Sequence, residues 1–239
     1  MTLGNFLQKK FHLLLITSIL ISFFFGLLVG VYKVFPYQQI KSIKKIIDVR
    51  PVERNRDYRV RLFENFPSQA EILFIGDSNT EYGEWNDFFP TLAISNRGVA
   101  GDTSADILKR MDSLLSPDTK KVFIMLGIND IYKDISIDEI SENYKLIVSS
   151  LKKEGMTVII QSTIQCQIIK CGKERVSQIN ILNNYLQNLS LKNDVYFLDL
   201  DELSGKGGLP EDYTYDGIHL NAFGYKYWIK KIKTSSYLQ

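Results

Sequence analysis

The sequence predicts an α/β protein: a three-layer α/β/α sandwich around a five-stranded parallel sheet, preceded by one N-terminal transmembrane helix. Three observations predict it. Five short apolar, β-rich runs recur from residue 72 onward, amphipathic stretches separate them, and a charge-free apolar segment precedes them all. Strands that read as continuous apolar runs are buried on both faces, and helical crossovers between them make the sheet parallel. Right-handed crossovers then place helices on both faces.

The N-terminal segment 13–32, LLLITSILISFFFGLLVGVY, holds 20 residues without a charge. At about 1.5 Å per residue, a helix of that length spans roughly the 30 Å of a bilayer core. It is apolar on every face, unlike a surface helix. Lys9 and Lys10 precede it and Lys33 follows. A cleaved signal peptide would show a shorter apolar core and a small-x-small site, so residues 1–35 read as an uncleaved anchor. Counting flanking lysines and arginines naively places the remainder of the chain in the cytoplasm. Long domains translocate regardless of such charges, and a short basic N-terminus before an apolar run resembles a signal-anchor. We therefore read a single-pass membrane protein with an extracytoplasmic catalytic domain.

Residues 36–66 read as a basic juxtamembrane helix and linker. Between Lys41 and Arg61, eight basic side chains (Lys41, Lys44, Lys45, Arg50, Arg54, Arg56, Arg59 and Arg61) stand against only Asp48, Glu53 and Asp57. Beside a membrane segment, such a stretch suits lipid headgroups. The net charge of +2 argues neither for nor against a nucleic-acid partner; the basic stretch is read as a headgroup contact, so no nucleic-acid partner is expected. The composition, 45% hydrophobic and 23% charged, is that of a globular chain, and 239 residues suffice for one domain and a tail.

The catalytic domain is expected over 67–239. Its strands fall at 72–75 (ILFI), 92–94, 122–126 (VFIML), 158–160 and 195–200 (VYFLDL); its helices lie near 104–115, 137–153, 175–191 and 222–233. In an open parallel sheet, functional groups gather at the carboxyl ends of the strands. Gly76-Asp77-Ser78-Asn79 comes after the first run, Asn96-Arg97-Gly98-Val99-Ala100-Gly101-Asp102-Thr103 after the second, and Gly127-Ile128-Asn129-Asp130 after the third. Asp216-Gly217-Ile218-His219-Leu220-Asn221 precedes the last helix. Each block alone reads as an ordinary turn or helix cap. Four in this order, all expected on one rim, do not.

On those blocks, over about 70–239, the chain resembles the SGNH (GDSL-like) hydrolases, the strings NRGVAGDTS and DGIHLNAFGY adding to the match. It departs at Asn79, where the family name implies leucine and no chemical role is apparent. The resemblance implies ester hydrolysis through an acyl-serine, with no metal or organic cofactor. Ser78, Asp216 and His219 form the implied triad. The backbone N–H groups of Ser78 and Gly101 and the side-chain amide of Asn129 form the implied oxyanion hole. The residues agree. A serine hydroxyl needs a base, and of the two histidines only His219 lies in the predicted domain. Asp216, three residues earlier, can hold the imidazole tautomer. Glycine allows close backbone approach, and an asparagine amide donates without adding charge. Asp77 and Asp130 read as supporting turn and scaffold residues. The G-x-S-x-G elbow of α/β-hydrolases is absent.

The expected substrates are short-acyl, O-acetyl, esters on carbohydrate or small molecules. A lysophospholipase or lipase of the same fold, and an acyltransferase or glycan-binding relative, are the alternatives. Cys166 and Cys171 are too few for a zinc site; outside the cell they would form a loop disulfide and inside it two thiols. Tyr82, Trp85, Phe88 and Phe89 suit packing better than an acyl pocket, and Tyr225, Tyr227 and Trp228 suit docking of the final helix. Asn188-Leu189-Ser190 fits a glycosylation sequon of the kind that also arises by chance.

Overall fold

The structure is a computed structural model that describes residues 3–32, 55–203 and 208–238. Two units result: one ends at Glu53 and the other runs from Arg54 to Gln239. Helix α1 (Leu3–Tyr32) belongs to the first. Its span Leu14–Tyr32 is long and apolar enough to cross a bilayer. The lysines between 41 and 45, Arg50 and Arg54 lie outside the described residues.

The second unit runs α2 (Asn55–Asn65), β1 (Ile72–Gly76), α3 (Ser78–Glu81), α4 (Trp85–Phe88), β2 (Ile94–Gly98), α5 (Ser104–Lys109), β3 (Lys121–Met125), α6 (Ile128–Tyr132), α7 (Ile137–Lys153), β4 (Thr157–Gln161), α8 (Ile168–Asn193), β5 (Tyr196–Leu198) and α9 (Ala222–Thr234). The five strands form one parallel sheet in the order β2-β1-β3-β4-β5. Strand order reverses at β1, so the loops after β1 and β3 diverge and leave a crevice at their carboxyl ends.

Alternation along each strand sorts the core into two clusters. Leu73, Ile75, Val122, Ile124, Val158 and Ile160 face α5, α7 and α8. Ile72, Phe74, Phe123, Met125 and Ile159 face Trp85 of α4 and Trp228 and Ile232 of α9. Both faces are buried, which is why the sequence shows continuous runs rather than a period of two. Phe74 stacks between Trp85 (ring centroids 4.2 Å apart) and Phe123 (4.8 Å), and Trp85 meets Trp228 edge-on at 4.9 Å. Trp85 and Phe89 thus pack, as does Trp228, whose indole N–H donates to Gln161 Oε1 at 2.6 Å.

Several boundaries differ from the sequence reading: helix α5 ends at Lys109 rather than near 115, and strand β5 covers only Tyr196–Leu198. Strand β2 begins at Ile94 and continues through the polar residues 95–97, whose side chains find partners at the sheet edge. Helix α8 begins at Ile168, seven residues earlier than expected, with a break at Gly172, where φ is +79°. That first turn is closed by a Cys166–Cys171 disulfide. Helix α2 forms a further difference. The sequence reading took 36–66 as a basic juxtamembrane helix and linker suited to lipid headgroups, yet Phe63 is buried beneath the guanidinium groups of Arg59, Arg97 and Arg110, at 4.4–5.8 Å from its ring. Its apolar content is too low to announce this packing, because cations over an aromatic ring replace aliphatic contacts.

Candidate active site

Ser78 opens α3 directly beyond β1. Asp77 caps that turn, its carboxylate accepting from the Asn79 N–H at 3.0 Å, and the turn leaves the Ser78 hydroxyl at the carboxyl edge of the sheet. His219 arrives from a loop that is fastened to itself. Thr214 pairs with Leu220, and the Thr214 hydroxyl donates to the His219 carbonyl at 2.6 Å while accepting from the Gly217 N–H at 2.8 Å. Gly217, with φ at +92°, turns the chain where a side chain would be strained.

The three predicted triad residues meet. His219 Nε2 lies 2.9 Å from Ser78 Oγ, and His219 Nδ1 lies 2.6 Å from Asp216 Oδ2. The other carboxylate oxygen, Oδ1, accepts from the backbone N–H groups of Ile218 (2.9 Å) and His219 (2.8 Å). Partial burial alone would raise the Asp216 carboxyl. These two N–H groups and the imidazole outweigh it, so the group is held below its ordinary value as an anion. An anionic carboxylate there accepts from Nδ1, which leaves Nε2 facing the serine hydroxyl.

The other predicted residues converge on the same rim. Gly101 lies beyond β2 with φ at +82°, and open space lies where a β-carbon would point. Asn129, in the first turn of α6, donates one amide N–H to the Asp102 carbonyl at 3.0 Å, keeping its second N–H for another acceptor. Asp130 is buried and accepts from the Ser104 N–H (3.0 Å) and hydroxyl (2.6 Å), tying α6 to the start of α5. Burial raises its carboxyl against these two donors. Asp77 is wholly buried; burial, partly opposed by the Asn79 N–H and reinforced by the charges of Asp102 and Asp130, pushes it up to about 7.

Several residues that the sequence reading left without a role, or assigned to packing as it did Tyr82 and Tyr225, support the site. Asn79 is the first. Its amide oxygen accepts from the Leu220 N–H at 2.9 Å and its NH₂ donates to the Ile218 carbonyl at 3.4 Å, so one side chain holds the backbone on both sides of His219. Tyr225 donates to the Asn79 carbonyl at 2.6 Å. Tyr82 and Tyr215 flank the imidazole at centroid distances of 5.5 and 5.7 Å, with 47% and 63% of their surface exposed. Only the tight coupling of DGIHLN to the last helix hinted at such support; the Asn79 bridge spans 141 residues and has no local signature.

A hydroxyl, an imidazole, a fixed carboxylate and nearby uncharged N–H donors are the groups that nucleophilic acyl transfer requires. The GDSL-like Lipase/Acylhydrolase family model matches residues 74–227. The chain is 29% identical over 212 residues to an N-acylneuraminate cytidylyltransferase of Escherichia coli O18:K1:H7, covering 79% of this chain and 45% of that protein. It is 25% identical over 177 residues to the Streptococcus agalactiae serotype V protein of the same name, covering 68% and 40%. The chain thus spans less than half the length of these curated relatives. Among solved structures, a Streptococcus pneumonia protein bearing the name platelet activating factor superposes with a TM-score of 0.69 at 25% identity, over 82% of this chain and 97% of that one. A GDSL-like lipase from Bacteroides thetaiotaomicron (TM-score 0.66, 23% identity, 75% and 95% covered) shares the fold. So does an acetylxylan esterase from Geobacillus stearothermophilus (0.57, 18%, 70% and 93%). The chain therefore belongs to the GDSL-like lipase/acylhydrolase family of ester hydrolases.

Proposed function

We propose that this protein is a membrane-anchored serine esterase that removes short acyl groups, O-acetyl above all, from carbohydrate or small-molecule esters. The observation that carries the reading is the continuous relay from Asp216 through His219 to Ser78, at 2.6 and 2.9 Å.

Ser78 Oγ attacks the ester carbonyl as its proton passes to His219 Nε2, and Asp216 stabilises the resulting imidazolium. The carbonyl oxygen becomes an oxyanion facing the backbone N–H groups of Ser78 and Gly101 and the free N–H of Asn129. Collapse expels the alcohol, which takes the proton from Nε2 and leaves acyl-Ser78. Water then attacks this acyl group, giving its proton to His219; the acid departs and the serine hydroxyl is restored.

The exposed rings of Tyr82 and Tyr215 beside His219 support a sugar-bearing alcohol, because aromatic faces pack against the C–H faces of pyranose rings. The relatives named for N-acylneuraminate, an acylated sugar, accord with that substrate class. The apolar span Leu14–Tyr32 supports the anchor, and the Cys166–Cys171 disulfide supports an extracytoplasmic domain, where such bonds persist. An ester panel of acetyl, butyryl and long-chain substrates tests the reading. Acetyl esters are expected to turn over fastest, with Ser78→Ala reduced to background. Undiminished hydrolysis by Ser78→Ala would refute the mechanism, and a strong long-chain preference would refute the substrate class.

A further inference from the structure

The two oxyanion donors that do not belong to the nucleophile share one support. Gly101 is joined to Asp102 by a peptide bond, and the Asn129 amide is hung on the Asp102 carbonyl at 3.0 Å. Whatever fixes Asp102 therefore fixes both donors. Its side chain, with 0% exposure, is gripped by two guanidinium groups: Arg110 Nε meets Oδ2 at 2.8 Å and Arg56 Nε meets Oδ1 at 2.9 Å. Arg110 lies just past α5 and is itself buried, also donating to the Arg97 carbonyl at 2.8 Å. Arg56 comes from α2, outside the sheet and its crossovers, and is 34% exposed.

Helix α2 touches the same loop a second time. Arg59 Nε donates to the Gly98 carbonyl at 2.6 Å and lies 3.7 Å from Glu81. Glu81 in turn accepts from the Ala100 N–H at 2.5 Å. The loop over 98–102 is thus held from one side by α2 and from below by the end of β1, where the Val99 N–H donates to the Gly76 carbonyl at 2.9 Å.

We infer that Arg56 is a positioning residue for ester hydrolysis, acting through Asp102 to aim the Gly101 and Asn129 donors at the oxyanion, so that α2 is a working part of the site. The inference rests on the esterase reading above. Its physical basis is the cost of an unpaired buried carboxylate oxygen. Burial already pushes the Asp102 carboxyl up, against the pull of Arg110 and Arg56. Without Arg56, Oδ1 loses its charged donor, the side chain rotates toward whatever donor it can reach, and the Asp102 carbonyl moves with it. An oxyanion hole is sensitive to such shifts, because a displacement of about 1 Å costs on the order of 10²-fold in rate. Arg56 also lies 3.3 Å from Asp106 at the start of α5, a contact that keeps the guanidinium beside the loop.

The test measures the second-order rate at which a fluorophosphonate probe labels Ser78 in the full-length protein in detergent, since phosphonylation builds negative charge in the same hole. Arg56→Met is expected to label about tenfold more slowly than wild type and to lose a similar factor in kcat on an acetyl ester, with KM within about twofold. Arg56→Lys, which keeps a cation near Oδ1, is expected to recover to within about threefold of wild type. Arg56→Gln replaces the methionine variant if that one does not fold. Wild-type labelling rates in Arg56→Met would overturn the inference. So would a lysine variant as slow as the methionine one, or a smaller labelled fraction at an unchanged rate, which marks lost fold rather than lost aim. A wild-type protein whose Ser78 takes up no probe would instead overturn the esterase reading and the inference together.

Discussion

Asp216→Asn offers the sharpest test of the relay, because the structure dictates how an amide would sit there. Oδ1 accepts two backbone N–H groups, at 2.9 and 2.8 Å, and only an oxygen can fill that role. The amide oxygen of the variant is therefore locked onto the Ile218 and His219 N–H groups, and its NH₂ is left facing His219 Nδ1. A donor there forces Nδ1 to become the acceptor, and the ring proton moves to Nε2. The imidazole then points N–H, rather than a lone pair, at Ser78 Oγ 2.9 Å away, and the base is lost with scarcely an atom displaced. An analogous tautomer trap costs about 10⁴ in kcat, or roughly 5.4 kcal/mol of transition-state stabilisation. Initial rates of p-nitrophenyl acetate hydrolysis near pH 8 measure the loss, and thermal melting confirms an intact fold. Retention of more than about a tenth of wild-type kcat would refute the assigned tautomer.

Three further outcomes are expected from the same geometry. Asn129→Ala removes one oxyanion donor and should lower kcat by about 10²–10³ with KM little changed, read by steady-state kinetics. Asp77→Asn should flatten the pH dependence of stability. The folded carboxyl, raised to about 7 from 3.8, holds its proton more tightly than the unfolded one, so its contribution is fully present below 3.8 and is lost as pH rises through about 7. At 1.36 kcal/mol per pKa unit that loss has an upper bound of about 4 kcal/mol, and the variant's melting temperature should fall less than the wild type's between about pH 5 and pH 8. Replacing both Cys166 and Cys171 with serine opens a link of sequence separation 5, so denaturant unfolding should report a loss of only about 2 kcal/mol.

The sheet was legible because its strands are buried on both faces and therefore advertise themselves as apolar runs. The site blocks were legible because a parallel sheet brings together the loops at the carboxyl ends of its strands. The side chains that brace the site were not. Asn79 stands one residue from the nucleophile and shows no role in sequence, since its partners Ile218 and Leu220 are supplied by the fold. Arg56 and Arg59 read as headgroup contacts, because a basic run looks the same in sequence whether it faces a membrane or is matched by Asp102 and Glu81. Tertiary ion pairs leave no periodicity. The Cys166–Cys171 bond was open for a related reason, since spacing alone cannot distinguish two thiols from a closed turn.

The Asn79 amide also decides how freely the rest of the chain can drift. Because it bonds the backbone on either side of the histidine, nucleophile and base are registered by one side chain rather than by the path between them. Peripheral turns such as the one at Gly155, whose α-carbon faces open space, can then accept insertions without retuning the chemistry. A tether, reporter or second domain grafted there should leave turnover intact, which makes this turn a practical handle on the enzyme.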